Sequence, residues 1–92
     1  MKSAFLKSVR DCIRKKHYSI KTEQTYLYWI TYFIRHHNLR HPKEMGAVEI
    51  GQFLDFLALK KQVAPGARKV VLDTVIFMDW DVLRVGLGDF YS

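Results

Sequence analysis

Residues 19–37 read SIKTEQTYLYWITYFIRHH, and the spacing of their apolar positions decides the fold. Ser19 stands where a hydroxyl can accept the unpaired N–H groups of a helix start, which predicts a helix from Ile20 to His37. At about 100° per residue, Tyr26, Ile30, Phe33 and Ile34 share one face, with Leu27 and Trp29 at its margins. Lys21, Gln24, Tyr28, Thr31 and Arg35 gather on the opposite side. A helix of this kind needs a core on one side and leaves the other for water or a ligand. Asn38-Leu39-Arg40-His41-Pro42 ends it as a turn, because proline restricts both its own position and the one before it.

Working outward, the preceding segment predicts a helix from Ser3, as N-cap, to His17. Phe5, Leu6, Val9, Cys12 and Ile13 stack on one face, and Lys7, Arg10, Arg14, Lys15 and Lys16 occupy the others. Tyr18 and Ser19 connect the two helices. Beyond the turn, Gly46 followed by Glu49 resembles a weak capping box that opens a third helix to Lys60, with Ile50, Phe53, Leu54 and Leu57 inward. Gln62 and Val63 lead to Pro65, which suits the first turn of a fourth helix running to Leu83. That helix carries Val70, Val71, Leu72, Val75, Ile76, Phe77 and Met78 around most of its circumference, so it is expected to be packed on several sides. Gly86 and Gly88 end the regular structure before Asp89-Phe90-Tyr91-Ser92. The expectation is an all-α, compact four-helix bundle forming a single domain over residues 1–92.

Composition narrows the function. The chain has 92 residues, 49% of them hydrophobic and 14% aromatic, which is too apolar for a disordered chain. No apolar run approaches the roughly 18 residues of a membrane span. The amino terminus, MKSAFLKSVRDCIRKKH, interrupts its apolar residues with Lys7, Arg10 and Asp11, so no secretory signal is read there and a cytoplasmic location is expected. One cysteine, Cys12, excludes an internal disulfide and a multi-cysteine metal site, and its place on the apolar face predicts a buried core residue. Fifteen Lys and Arg against nine Asp and Glu give a formal charge of +6. The excess is local. Met1 to Lys43 holds ten basic residues against two acids, and Glu44 to Ser92 holds five against seven. An anionic partner met by the first two helices is the reading this favours.

The candidate contacts follow from residue type and position. Lys21, Thr22, Gln24, Thr25 and Tyr28 combine a cation and hydroxyls suited to phosphates, an amide able to read adenine, and an exposed aromatic ring near a helix start. The same residues also read as an ordinary solvated helix face. Arg68 and Lys69 sit in the first turn of the fourth helix, where cations oppose the helix dipole and a bound phosphate would relieve the cost. Lys15, Lys16, Arg35, Arg40 and Lys43 supply general field and solubility. His17, His36, His37 and His41 do not form a metal set, since Pro42 interrupts the His37/His41 helical spacing and no cysteine or acid joins them. Trp29 and Phe33 are expected in the core.

These residues carry a resemblance. Tyr18-Ser-Ile-Lys-Thr-Glu-Gln-Thr-Tyr26, with Tyr28-Trp29-Ile30, Phe33-Ile34-Arg35 and His41-Pro42, resembles the amino-terminal core-binding domain of integron-type tyrosine recombinases of the phage integrase family. Glu49, Phe53-Leu54, Leu57-Ala58, Val63-Ala64-Pro65 and Leu87-Gly88-Asp89 extend it over nearly the whole chain. The resemblance implies a SAM-like four-helix bundle that clamps double-stranded DNA together with a catalytic domain in the same protein, other recombinase copies assembling on the DNA. It implies no cofactor and no membrane partner. The family's tyrosine nucleophile, arginines, histidine and lysine belong to that other domain, so this chain alone is expected to bind without cutting. His37-Asn38-Leu39-Arg40 has the H-x-x-R spacing of the recombinase active site but lies at a helix end, where cations favour the dipole. The alternative is a helical protein-interaction module that does not bind DNA and docks through the apolar fourth helix and Phe90-Tyr91.

Overall fold

The computed structural model describes residues 4–83. Four α-helices account for most of them: α1 (Ala4–Lys15), α2 (Ile20–His36), α3 (Ala47–Leu59) and α4 (Pro65–Phe77). A 3-10 turn (Pro42–Glu44) precedes α3, and a π-helical turn (Met78–Leu83) follows α4. No strand occurs among the described residues. None of these helices is long and apolar enough to cross a membrane. The Ser3 cap, Gly86, Gly88 and the Phe90-Tyr91 end lie outside the described residues.

Local chemistry sets the helix ends. Ser19 is extended at the start of α2, and its Oγ accepts the Thr22 N–H at 3.1 Å, satisfying one of the orphan donors. At α3, Gly46 has no side chain to cap with, so one limb of the box forms: the Gly46 N–H donates to Glu49 Oε1 at 2.7 Å. Pro65 occupies the first turn of α4 as expected. The C-termini of α1 and α2 close by the same device without glycine. Tyr18 N–H reaches Ile13 O and His17 N–H reaches Arg14 O; Leu39 N–H reaches Ile34 O and Asn38 N–H reaches Arg35 O. These are Schellman pairings, and they put His17 and Asn38 in the left-handed region at φ 60°.

The core joins all four helices. Val9 and Ile13 of α1, Ile30, Phe33 and Ile34 of α2, Phe53 and Leu57 of α3, and Val71, Val75 and Phe77 of α4 are buried, together with Met45 and Met78. Phe33 and Phe53 meet at 5.4 Å between ring centroids, joining α2 to α3. Tyr26 and Phe77 meet at 5.2 Å, joining α2 to the end of α4. Thr74 is the one buried polar residue among those described, and its hydroxyl donates to the Val70 carbonyl at 2.8 Å.

Four expectations are corrected. The fourth helix does not continue as an α-helix to Leu83, because its hydrogen bonding widens to the π pattern from Met78. Its cover is also less complete than packing on several sides implies: α2 and α3 lie against it, but Val70, Leu72 and Ile76 are exposed, Ile76 by 53%. The reason lies in what α1 touches. It packs on α2 and on the π-helical turn, leaving the outer side of α4 bare. Cys12, finally, is only partly buried, because its sulfur faces the Asp81 carbonyl of that turn at 3.6 Å. Trp29 is likewise half-buried, stacked on Tyr32 with the rings 11° from parallel.

Candidate nucleic-acid interface

The outer face of α2 is held in place from both ends. At its start, Arg14 of α1 donates from Nε to Glu23 Oε1 at 3.0 Å and from Nη2 to Oε2 at 3.3 Å. That hydrogen bonding keeps the Glu23 carboxyl below the usual carboxylate range, against a partial desolvation that pushes it up. At its end, His37 Nε2 lies 3.0 Å from the Glu49 carbonyl, and Arg40 reaches the Glu49 carboxylate at 3.4 Å and the Glu44 carbonyl at 3.0 Å. The His37/Arg40 pair that mimics an active-site spacing is therefore a brace between α2 and α3. The Gly46 N–H, with Arg40 adding to it, holds the Glu49 carboxyl low.

Between these braces the helix presents one continuous stripe. Gln24, Leu27, Tyr28, Thr31, Tyr32, Arg35 and His36 line a shallow groove of about 730 Å³, at spacings of three and four residues. Its wall is aromatic. Tyr32 packs edge-on against Phe53 at 5.4 Å, and Tyr28, 59% exposed, stands edge-on to Trp29 at 5.0 Å and to Tyr32 at 6.2 Å. The rings are thus anchored through Tyr32 to the core. At the far end His36 lies against Phe56 at 4.4 Å, where burial and the neighbouring His37 push its protonation below the ordinary histidine value. No acidic side chain lines this groove.

The candidate residues separate into two groups. Lys21, Gln24 and Tyr28 are exposed on the outer face of α2, and Thr25 lies half-buried at its edge. Thr22 is half-buried and committed to the helix cap, its Oγ1 accepting the Ser19 hydroxyl at 3.0 Å. Arg68 and Lys69 stand apart, on the first turn of α4, and neither lines the groove. Lys69 is exposed, whereas Arg68 is half-buried with its Nε unpartnered among the described residues. Spacing alone missed Leu27, Tyr32 and His36 as groove residues, although they follow the same period as Gln24, Tyr28 and Thr31.

Charge is redistributed by pairing. Lys7, Arg14, Lys16 and Arg40 are tied to Asp11, Glu23, Asp81 and Glu49, so four cations of the basic half are neutralised locally. Lys21 and Arg35 make no ion pair among the described residues, which leaves the outer face of α2 with net positive charge. The same residues contain no group of three or more His, Cys, Asp or Glu side chains able to hold a metal.

Comparison with known proteins gives a consistent picture. A family model described as phage integrase, N-terminal SAM-like domain, matches residues 5–85. Two relatives, each named integrase/recombinase, come from Escherichia coli and Pseudomonas aeruginosa. Each is 38% identical to this chain over 82 residues, a match that covers 89% of this chain and 24% of the relative. The chain thus spans about a quarter of the length of these relatives.

Proposed function

This chain belongs to the phage integrase N-terminal SAM-like domain family, and from that membership we propose that it is the DNA-binding, core-binding domain of a site-specific tyrosine recombinase. In this reading it grips one side of double-stranded DNA in the cytoplasm, and a catalytic domain elsewhere in the parent protein grips the other and performs the chemistry. The integron-integrase type is the subfamily we infer, from the Tyr18 to Tyr26 segment and the Tyr28-Trp29-Ile30 continuation of α2. Assembly of several copies on the DNA belongs to the same proposal.

The observation that carries it is the outer face of α2. Lys21, Gln24, Tyr28, Thr31 and Arg35 run along a helix of 17 residues, clamped at both ends, with no acid in the groove beside them. Cations at the rim fit phosphates, and the amide and hydroxyl between them fit base edges or sugar-phosphate oxygens. A helix about 10–12 Å across fits the roughly 12 Å width of the major groove. The exposed Leu72, Ile76 and Trp80, spaced four residues apart on the end of α4 and the turn after it, favour a protein-docking surface as a second reading.

Titration with duplex DNA over a series of salt concentrations tests the proposal. Each phosphate neutralised releases counterions, so engagement of about 4–6 phosphates gives a slope of about −4 to −5 in log K against log salt. A flat salt response, or no binding at low salt, overturns the DNA reading and leaves the docking surface.

A further inference from the structure

We propose that the groove of α2 reads A·T base pairs, with Gln24 on adenine and the Leu27, Tyr28 and Tyr32 wall against thymine methyl groups. The inference rests on the duplex-binding reading above and names what that face selects. Its starting point is a mismatch of chemistry: a surface meant only for phosphates needs cations and hydroxyls, yet the middle of this face is apolar. Leu27, Tyr28 and Tyr32 form a wall whose rings are fixed by edge contacts running back to Phe53, so it is presented to the ligand already ordered. Lys21 and Arg35 sit toward either end of the stripe, without ion pairs among the described residues.

The major groove offers one surface that matches this order. An A·T pair presents the adenine N7 acceptor and N6 donor beside the thymine C5 methyl, the only apolar group on any base edge there. A glutamine amide can pair with both adenine positions, donating to N7 and accepting from N6. Gln24 and Tyr28 are four residues apart, so amide and aromatic wall are neighbours on the helix surface. A G·C pair would place the polar cytosine edge where an A·T pair presents a methyl to the apolar wall. From Gln24 to Arg35 the stripe rises about 16 Å, enough to pass roughly five base-pair steps. The sign of the charge also fits, since the groove carries Arg35 and no carboxylate.

The test uses the 92-residue chain and three duplexes of equal length: alternating A·T, the same duplex with uracil replacing every thymine, and alternating G·C. Uracil differs from thymine by the missing methyl alone, so binding should weaken roughly fourfold for each methyl seated in the groove. Tyr28→Ala should bring the thymine and uracil duplexes together. Gln24→Ala should reduce the preference of A·T over G·C to the part that the methyl contacts supply, while the salt slope stays as in the parent. Both residues are exposed, and circular dichroism confirms that the variants are folded before comparison. Equal affinity of the unaltered chain for the thymine and uracil duplexes overturns the methyl readout and leaves duplex binding standing. A thymine preference that survives Tyr28→Ala overturns its placement in this groove. Absence of binding to all three duplexes at low salt overturns the duplex reading and this inference together.

Discussion

At the scale of single residues, position on α2 separates binding from folding. Lys21 is exposed in the first turn of α2, where its charge opposes the positive end of the helix dipole and makes no ion pair among the described residues. Lys21→Ala should therefore leave the melting midpoint nearly unchanged while lowering duplex affinity and reducing the salt slope by about one unit. Unchanged affinity would remove Lys21 from the interface. Asp79 behaves differently. Burial in the π-helical turn raises its carboxyl from 3.8 to about 6, so the folded chain holds that proton more tightly than the unfolded chain. Its stabilising contribution is complete below pH 4 and is lost as the pH rises through 6. Asp79→Asn should melt higher than the parent at pH 7.5, and the two midpoints should converge as the pH falls to 4. A gap that does not narrow would show that desolvation of this carboxyl is not the cause.

At the scale of elements, the helix ends carry a correctable cost. The chain leaves α2 with Asn38 at φ 60° and Leu39 at φ 62°, two successive left-handed residues. Asparagine tolerates that region, but leucine places Cβ against its own carbonyl at a cost of about 1–2 kcal/mol. Leu39 is 61% exposed, so little packing is lost with its side chain. Glycine gives back part of the gain through its greater freedom in the unfolded chain. Leu39→Gly should stabilise the domain by about 0.5–1 kcal/mol, read as a rise of a few degrees in the melting midpoint. A lower midpoint would mean that the Leu39 side chain supports the turn through contacts worth more than the strain. The caps were readable because they are local. Ser19, Gly46 with Glu49, and Pro65 each act within about one helical turn of themselves, so residue type and spacing suffice. His17 and Asn38 as left-handed caps were not readable, since no glycine marks them.

At the scale of the whole molecule, the four helices share one core and so stand or fall together. Phe33 is 1% exposed and lies between Phe53 and the rest of the buried cluster. Phe33→Ala removes a ring at a cost of about 3–5 kcal/mol, a large part of the roughly 5–15 kcal/mol that stabilises a domain. Denaturant unfolding should shift to much lower midpoints, and duplex binding should fail only under conditions where the helical signal has gone. Loss of binding by a fully folded Phe33→Ala chain would place the DNA contact somewhere other than the outer face of α2.

The sequence alone determined the helical class, the four helices, and which side of α2 faces inward. Tyr26, Ile30, Phe33 and Ile34 encode that side through a period contained within a few residues, and the outward Lys21, Gln24, Tyr28, Thr31 and Arg35 follow from the same period. Tertiary structure decided what lies across from each face. Whether Tyr32 and His36 find Phe53 and Phe56 to lie against depends on where α3 crosses, and whether α4 is covered depends on α1 choosing the π-helical turn instead. Arg14, Lys16 and Arg40 look like free cations in the chain, yet each finds its acid on another element. Arg68 and Lys69 read from the chain as first-turn residues of the fourth helix, and the packing of α4 leaves them outside the groove. Helical period is fixed by bonds between near neighbours. Pairing across elements is fixed by crossing geometry, which no short stretch of chain contains.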